Sequence, residues 1–370
     1  MSRLLAALLL TLAAAPTVAE PSDSLATAYE NHFKLGVALP TSSLMRPEAD
    51  VLALAASQFN SATPENCMKW QPIQPRPGEY DFSAADRFVD FCEQRDWWIV
   101  GHTLIWHQQT PEWVFQNDKG EPLTRDDAIE RMRDHIRTVV GRYRGRVHAW
   151  DVVNEALNED GSLRETKWLE IIGDDYLDLA FRFAQEADAD AELYYNDYNL
   201  YVEDKAKGAV RLVRKLRRAG RRVDAIGIQG HWAYNHPPLK QASAAIRRLA
   251  KATGRLMITE LDVNILPWPG DNIDADVARR AVGSPDLDPY TAGLPPEKQQ
   301  ELADRYAELF RLFIRHRDKI DRVTFWGVHD GGSWHNHWPI EGRTAHSLLF
   351  DRRLQSKPAF DAVTAVGRER

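Results

Sequence analysis

The sequence predicts an α/β chain folded as one (β/α)8 TIM barrel, and three observations carry this. Eight short apolar runs alternate with longer amphipathic stretches along the 370 residues. Near-continuous apolar runs are how strands buried on both faces read. Seven of the eight runs end in polar, charged or aromatic residues, and barrel enzymes place their chemistry at those C-terminal strand ends. No Gly-rich phosphate-binding turn follows the first run, which weakens the alternative, a doubly wound open sheet.

Residues 1–19 read as an export signal peptide. Arg3 gives a short positive start, and Leu4 to Ala15 is apolar but too short to span a bilayer. Thr17-Val18-Ala19 is a small-residue cleavage pattern, so the cut is expected after Ala19. Residues 20–370 are then expected to form one catalytic domain, secreted or periplasmic and monomeric. Strands are expected at 33–39, 58–63, 97–103, 146–153, 192–196, 223–229, 255–261 and 321–327. Helical spacing between them predicts helices at 47–57, 83–95, 124–143, 174–188, 203–219, 239–253 and 295–316, with a last one at 356–366. Pro47 opens the first of these, a position where a missing N–H costs nothing. Thr124 is a candidate N-cap, followed by Asp126 and Asp127, which suit the positive end of a helix dipole. Residues 265–293 lack periodicity and are rich in Pro, Gly and Asp. A loop that long inside a compact domain points to function, and after the seventh strand it belongs on the active face.

The formal net charge of −7 gives no basis for binding nucleic acid or an anionic membrane. A neutral partner fits better. Twelve Trp raise the carbohydrate hypothesis, because indole faces stack on sugar rings, although any single Trp is more often core packing. Cys67 and Cys92 lie in apolar surroundings and read as two buried free thiols, with a disulfide left open.

The chemistry is read from the strand ends. Glu155 and Glu260 end the fourth and seventh strands, where a barrel brings both to one rim. Cleaving a glycosidic bond takes such a pair: one protonates the leaving oxygen, the other attacks the anomeric carbon or activates water. Asn154 beside Glu155 can hydrogen-bond a sugar 2-hydroxyl. Glu260 lies in an apolar run and needs a partner for its charge, which His231 can supply. His102, Trp106, Trp326 and Trp334 are placed to line the bond-cleaving subsite, with Glu65, Asn66 and Lys69 bonding hydroxyls further out. Each alone has a plainer reading: His102 as a satisfied core histidine, Lys69 as an ion pair with Glu65. A metal site seeded by His335-x-His337 lacks a convergent third ligand and is set aside. No metal or cofactor is expected.

These strand ends resemble family 10 of the glycoside hydrolases, the endo-β-1,4-xylanases. The matching segments are Glu65-Asn66-Cys67-Met68-Lys69-Trp70, Gly101-His102-Thr103-Leu104-Ile105-Trp106-His107, Trp150-Asp151-Val152-Val153-Asn154-Glu155-Ala156, Tyr195-Asn196-Asp197-Tyr198-Asn199, Gln229-Gly230-His231, Ile258-Thr259-Glu260-Leu261-Asp262 and Phe325-Trp326-Gly327. They occur in order over about residues 28–365. The resemblance implies retaining hydrolysis of xylan and xylo-oligosaccharides, with Glu155 as acid/base and Glu260 as nucleophile. It also implies that Glu65, Asn66, Lys69, His102, Trp106, Asn154, Gln229, His231, Trp326 and Trp334 bind xylose on the glycone side, and Tyr198 on the leaving-group side. One position departs: after Ser333-Trp334 the family usually has Leu or Arg, and this chain has His335. That puts subsite preference and pH response at issue. The alternatives are the same pair acting on β-1,4-glucan, and a non-catalytic carbohydrate-binding barrel.

Overall fold

The computed structural model describes residues 24–46, 48–270 and 279–369. The expected signal segment and Pro47 lie outside the described residues. The strands are β1 (Lys34–Leu39), β2 (Ser61–Pro64), β3 (Trp98–Ile105), β4 (Ala149–Asn154), β5 (Glu192–Asp197), β6 (Ala225–Ile228), β7 (His231–Ala233), β8 (Leu256–Asn264) and β9 (Ile320–Phe325). Strands β1 to β6 pair in sequence, β6 pairs on to β8, β8 to β9, and β9 returns to β1, all parallel. That closes an eight-stave (β/α)8 barrel.

β7 continues the sixth stave after a break. β6 pairs with the start of β8, Ile228 opposite Ile258, whereas His231 lies opposite Asp262 near its end. Between them Gly230 takes φ +84°, a left-handed conformation open to a residue without Cβ. The break sets Gln229 and His231 at the mouth of the barrel.

The expected strands and main helices all form, with ends shifted by a few residues, as fraying and end definitions allow. Thr124 caps the helix Arg125–Arg142, its side chain accepting from the Asp127 amide, with both aspartates in the first turn. The helix expected from Pro47 starts at Ala49. The sequence reading had no counterpart for Lys167–Ile172, which Thr166 caps by accepting from the Leu169 amide, nor for β7. Both are too short to show a period.

The staves are buried on both faces, β4 and β8 along their whole length. The main apolar cluster fills the space between barrel and helices. A second one, of Val100, Ala149, Tyr194, Ala225 and Met257, packs the floor inside the barrel. A filled floor leaves the C-terminal ends of the strands as the open face. Cys67 and Cys92 are buried free thiols, and burial pushes the Cys67 thiol up to about 12.

Candidate active site

At that open face lies a cleft of about 810 Å³. All thirteen residues selected from the sequence line it: Glu65, Asn66, Lys69, His102, Trp106, Asn154, Glu155, Tyr198, Gln229, His231, Glu260, Trp326 and Trp334. The cleft takes residues from the ends of every stave but the first, so strand order rather than sequence proximity assembles it.

Glu155 follows β4 with φ +59°, a conformation that non-glycine residues seldom hold outside functional positions. The Trp106 indole donates to its Oε2 at 2.9 Å, and the Gln229 amide to its Oε1 at 2.9 Å. Arg164 grips its main-chain carbonyl at 3.1 Å and also donates to the Tyr198 hydroxyl. Tyr198 is further covered by the Lys205 ammonium, 3.5 Å from its ring centroid.

Glu260 sits in β8, 5% exposed. The Asn196 amide donates to its Oε1 at 2.7 Å, and His231 Nε2 stands 3.2 Å from its Oε2. The same Asn196 amide donates to Asn154 Oδ1 at 3.0 Å, and Gln229 reaches that oxygen at 3.3 Å. Amides on β4, on β5 and at the end of β6 therefore form one bridge between the two glutamates. Asn196 fits only because its neighbour is Gly227: a Cβ there would stand 2.3 Å from Asn196 Oδ1.

Burial acts to raise the Glu260 carboxyl, but the His231 hydrogen bond, the field of His102 and His231, and the Asn196 amide outweigh it. The net result is a nucleus of negative charge held below the usual Glu range. Behind it, Asp262 accepts from His231 Nδ1 at 2.9 Å, Trp334 Nε1 at 2.7 Å and His335 Nε2 at 3.1 Å. Burial opposes its charge, and the two histidines overcome that, so Asp262 is held well below the carboxylate range. His231 is in turn held well above the imidazole range: burial lowers it, while Asp262 and Glu260 raise it by more.

The outer wall is aromatic. Trp326 meets His102 edge-on at 5.3 Å, and His102 is oriented by Asp151 at 2.9 Å. Trp334 stacks on Trp338 at 4.8 Å, and Trp338 adjoins Trp268 at 5.5 Å. The Lys69 ammonium lies 4.9 Å over the Trp106 ring and donates to Asn66 at 2.9 Å, with Glu65 the leading opposite charge acting on it. Burial drives Lys69 down and Glu65 up. His335 turns inward to Asp262, while His337 faces Glu341 at the surface. The two rings do not converge on a common ligand.

Sequence reasoning did not select Asn196, Asp262, Asp151 or Arg164. All four act through hydrogen bonds to a selected residue on another element. Asp151, Asn196 and Asp262 stood in the quoted segments, the last two one and two residues from a charged strand-end group, and that adjacency was the available signal.

A barrel whose mouth holds two carboxylates across an aromatic cleft has the equipment of a glycoside hydrolase. Comparison with known proteins narrows this. The profile of Glycosyl hydrolase family 10 matches residues 24–366, and the chain belongs to that family. Endo-1,4-beta-xylanase A of Xylanibacter ruminicola is 40% identical over 341 residues, covering 92% of each chain. A GH10 endoxylanase from a sugarcane soil metagenome superposes with TM-score 0.90 at 41% identity, over 93% of this chain and 100% of that one. The intracellular xylanase TsXylA of Thermoanaerobacterium saccharolyticum, solved as a mutant with xylotriose, gives TM-score 0.78 at 34% identity, covering 92% and 98%.

Proposed function

We propose that the chain is a retaining endo-1,4-beta-xylanase in which Glu260 is the nucleophile and Glu155 the acid/base. The observation that carries the assignment is the asymmetry of the pair. Glu260 is held ionised by His231 and Asn196, as a nucleophile must be. The Glu155 carboxyl is held by Trp106 and Gln229, and Arg164 ties its main chain to Tyr198, the residue that the family resemblance puts on the leaving-group side. In the first step Glu260 attacks the anomeric carbon and the C–O bond breaks. Glu155 delivers its proton to the departing oxygen, leaving a glycosyl ester on Glu260. In the second step Glu155, now ionised, takes a proton from water, which attacks the anomeric carbon and frees Glu260 with net retention.

The substrate reading rests on family membership and on relatives named as xylanases. Trp106 and Trp326 are floor and wall for the reacting xylose, and Glu65, Asn66, Lys69, His102, Asn154, Gln229, His231 and Trp334 bind the glycone side. Lys69 and Trp334 crowd the place where a glucose hydroxymethyl would project, which favours xylan over glucan. Export through residues 1–19 is supported by the sequence pattern alone, since one solved relative is intracellular. A single domain from residue 20 onward, acting as a monomer, completes the reading.

The test compares wild type, Glu155→Ala and Glu260→Ala on xylan and on carboxymethylcellulose. Wild type should release short xylo-oligosaccharides, initially as the β anomer. Glu260→Ala should be inactive and, with azide and an activated xyloside, form the α-xylosyl azide. Binding of xylo-oligosaccharides without release of reducing ends from either polymer would make the barrel a binder and sink both assignments.

A further inference from the structure

His335 occupies a place behind the proposed nucleophile that no step above uses. It is 3% exposed and follows Trp334 in a short turn. Its Nε2 meets Asp262 Oδ1 at 3.1 Å, while Trp334 and His231 share the other oxygen, Oδ2, at 2.7 and 2.9 Å. Trp Nε1 can only donate, and an ionised carboxylate can only accept. Asp262 is thus surrounded by donors on both oxygens, and its negative charge is used to fix them.

That has a consequence two bonds further on. With Asp262 an acceptor, His231 must carry its proton on Nδ1. Its Nε2 faces Glu260 Oε2 at 3.2 Å, so one more proton has to sit on that contact for it to be a hydrogen bond. With that proton on the imidazole, Asp262, His231 and Glu260 together hold two negative charges and one positive. The set carries a net charge of about −1 and titrates as a unit.

The second nitrogen of His335, Nδ1, is buried and has no hydrogen-bond partner among the described residues. An ionised carboxylate can only accept, so the Nε2 contact makes His335 the donor to Asp262.

We propose that His335 is a positioning residue for the nucleophile, pinning Asp262 by a hydrogen bond to Oδ1 and thereby setting the proton affinity of the Asp262–His231–Glu260 set. This rests on the assignment of Glu260 as nucleophile. A donor on the carboxylate stabilises the negative charge of the set, so the next proton is taken up at lower pH. The other groups facing the set are His102 from β3, Lys69 after β2, Glu155 after β4 and Tyr306 from the helix Pro296–Arg315. None of them shares a hydrogen bond with His335, whose side chain meets Asp262.

The experiment uses two variants of the full chain. His335→Leu fills the space but offers no donor; His335→Gln keeps an N–H within reach of Asp262. The acid limb of kcat/KM on an aryl xylobioside should move up by about half a pH unit in His335→Leu, a roughly threefold loss below the limb. It should return towards the wild-type position in His335→Gln. Histidine side-chain 15N shifts, which need no turnover, should show the His231 protonation midpoint moving in His335→Leu and restored in His335→Gln. An unmoved limb and midpoint in His335→Leu, with only thermal stability lowered, overturns the proposal, as does a His335→Gln that behaves like His335→Leu. If wild type cleaves no xyloside, the assignment of Glu260 fails instead, and the 15N midpoints alone decide the role of His335.

Discussion

Two buried carboxylates in this barrel meet opposite fates. Asp330, after β9, is enclosed by Lys357, whose ammonium donates to Asp330 at 2.8 Å and to the carbonyls of His346 and Leu348 at 2.9 and 2.8 Å. The Leu348 amide takes the other Asp330 oxygen. Burial still dominates there, lifting the Asp330 carboxyl above its ordinary value despite Lys357. Glu260 is as deeply placed, yet its donors win and hold it below the ordinary Glu range. The Asp330 site spends every proton of its cation on closure and locks the last loop to the barrel. The Glu260 site keeps a carboxylate at the cleft, held from behind and from the side. Burial alone does not mark a functional carboxylate; the direction from which its donors come does.

The comparison can be broken most severely at Glu260. Glu260→Gln should lower kcat on xylan by ~10⁴-fold or more; a loss under tenfold would remove Glu260 from the chemistry. Lys357→Met attacks the other site. It leaves Asp330 buried without its cation and should cost ~3–5 kcal/mol in chemical denaturation, with kcat/KM on folded protein unchanged.

Asn196→Ala sharpens the comparison by weakening one donor to Glu260. The folded-state pKa of Glu260 lies below its unfolded value, so its ionised form contributes stability above about pH 4.3. That contribution disappears as pH falls through the lowered folded value. Removing the Asn196 amide raises the folded value, so the acid limb of kcat/KM should move to higher pH. An unchanged limb would show that His231 alone sets the charge. The smallest effect belongs to the helical surface, where Arg142 pairs with Asp86 at 2.6 Å and both side chains are partly exposed. Arg142→Ala should cost under ~1 kcal/mol and leave activity untouched, as read by thermal melting and xylan hydrolysis.

The fold was largely legible because parallel staves are buried on both faces and read as mainly apolar runs, as Leu256 to Ile258 at the start of β8 do. The candidate site was legible because the barrel forces strand ends together, so Glu155 and Glu260 could be paired across 105 residues of sequence. The bridge between them was not. Asn196 earns its place by facing Asn154 on one neighbour and Glu260 two staves away, a relation fixed by register and by the missing side chain of Gly227. Asp262 was hidden for a similar reason: its value depends on His231 arriving beyond the break at Gly230. Lys69 shows the limit from the other side: Glu65 could be named from residue type as an opposite charge acting on it, while Asn66 and the Trp106 face beside it are supplied by packing.

Trp268, at the mouth of the cleft, is 43% exposed. Among the twelve tryptophans of the chain it is the one classed as exposed, and it adjoins Trp338, which stacks on Trp334. An indole in water emits at longer wavelength than one under a sugar ring. The molecule therefore carries its own optical reporters: filling the cleft should shift the emission of Trp268 together with that of the other tryptophans lining it, and polysaccharide occupancy can be followed without a label.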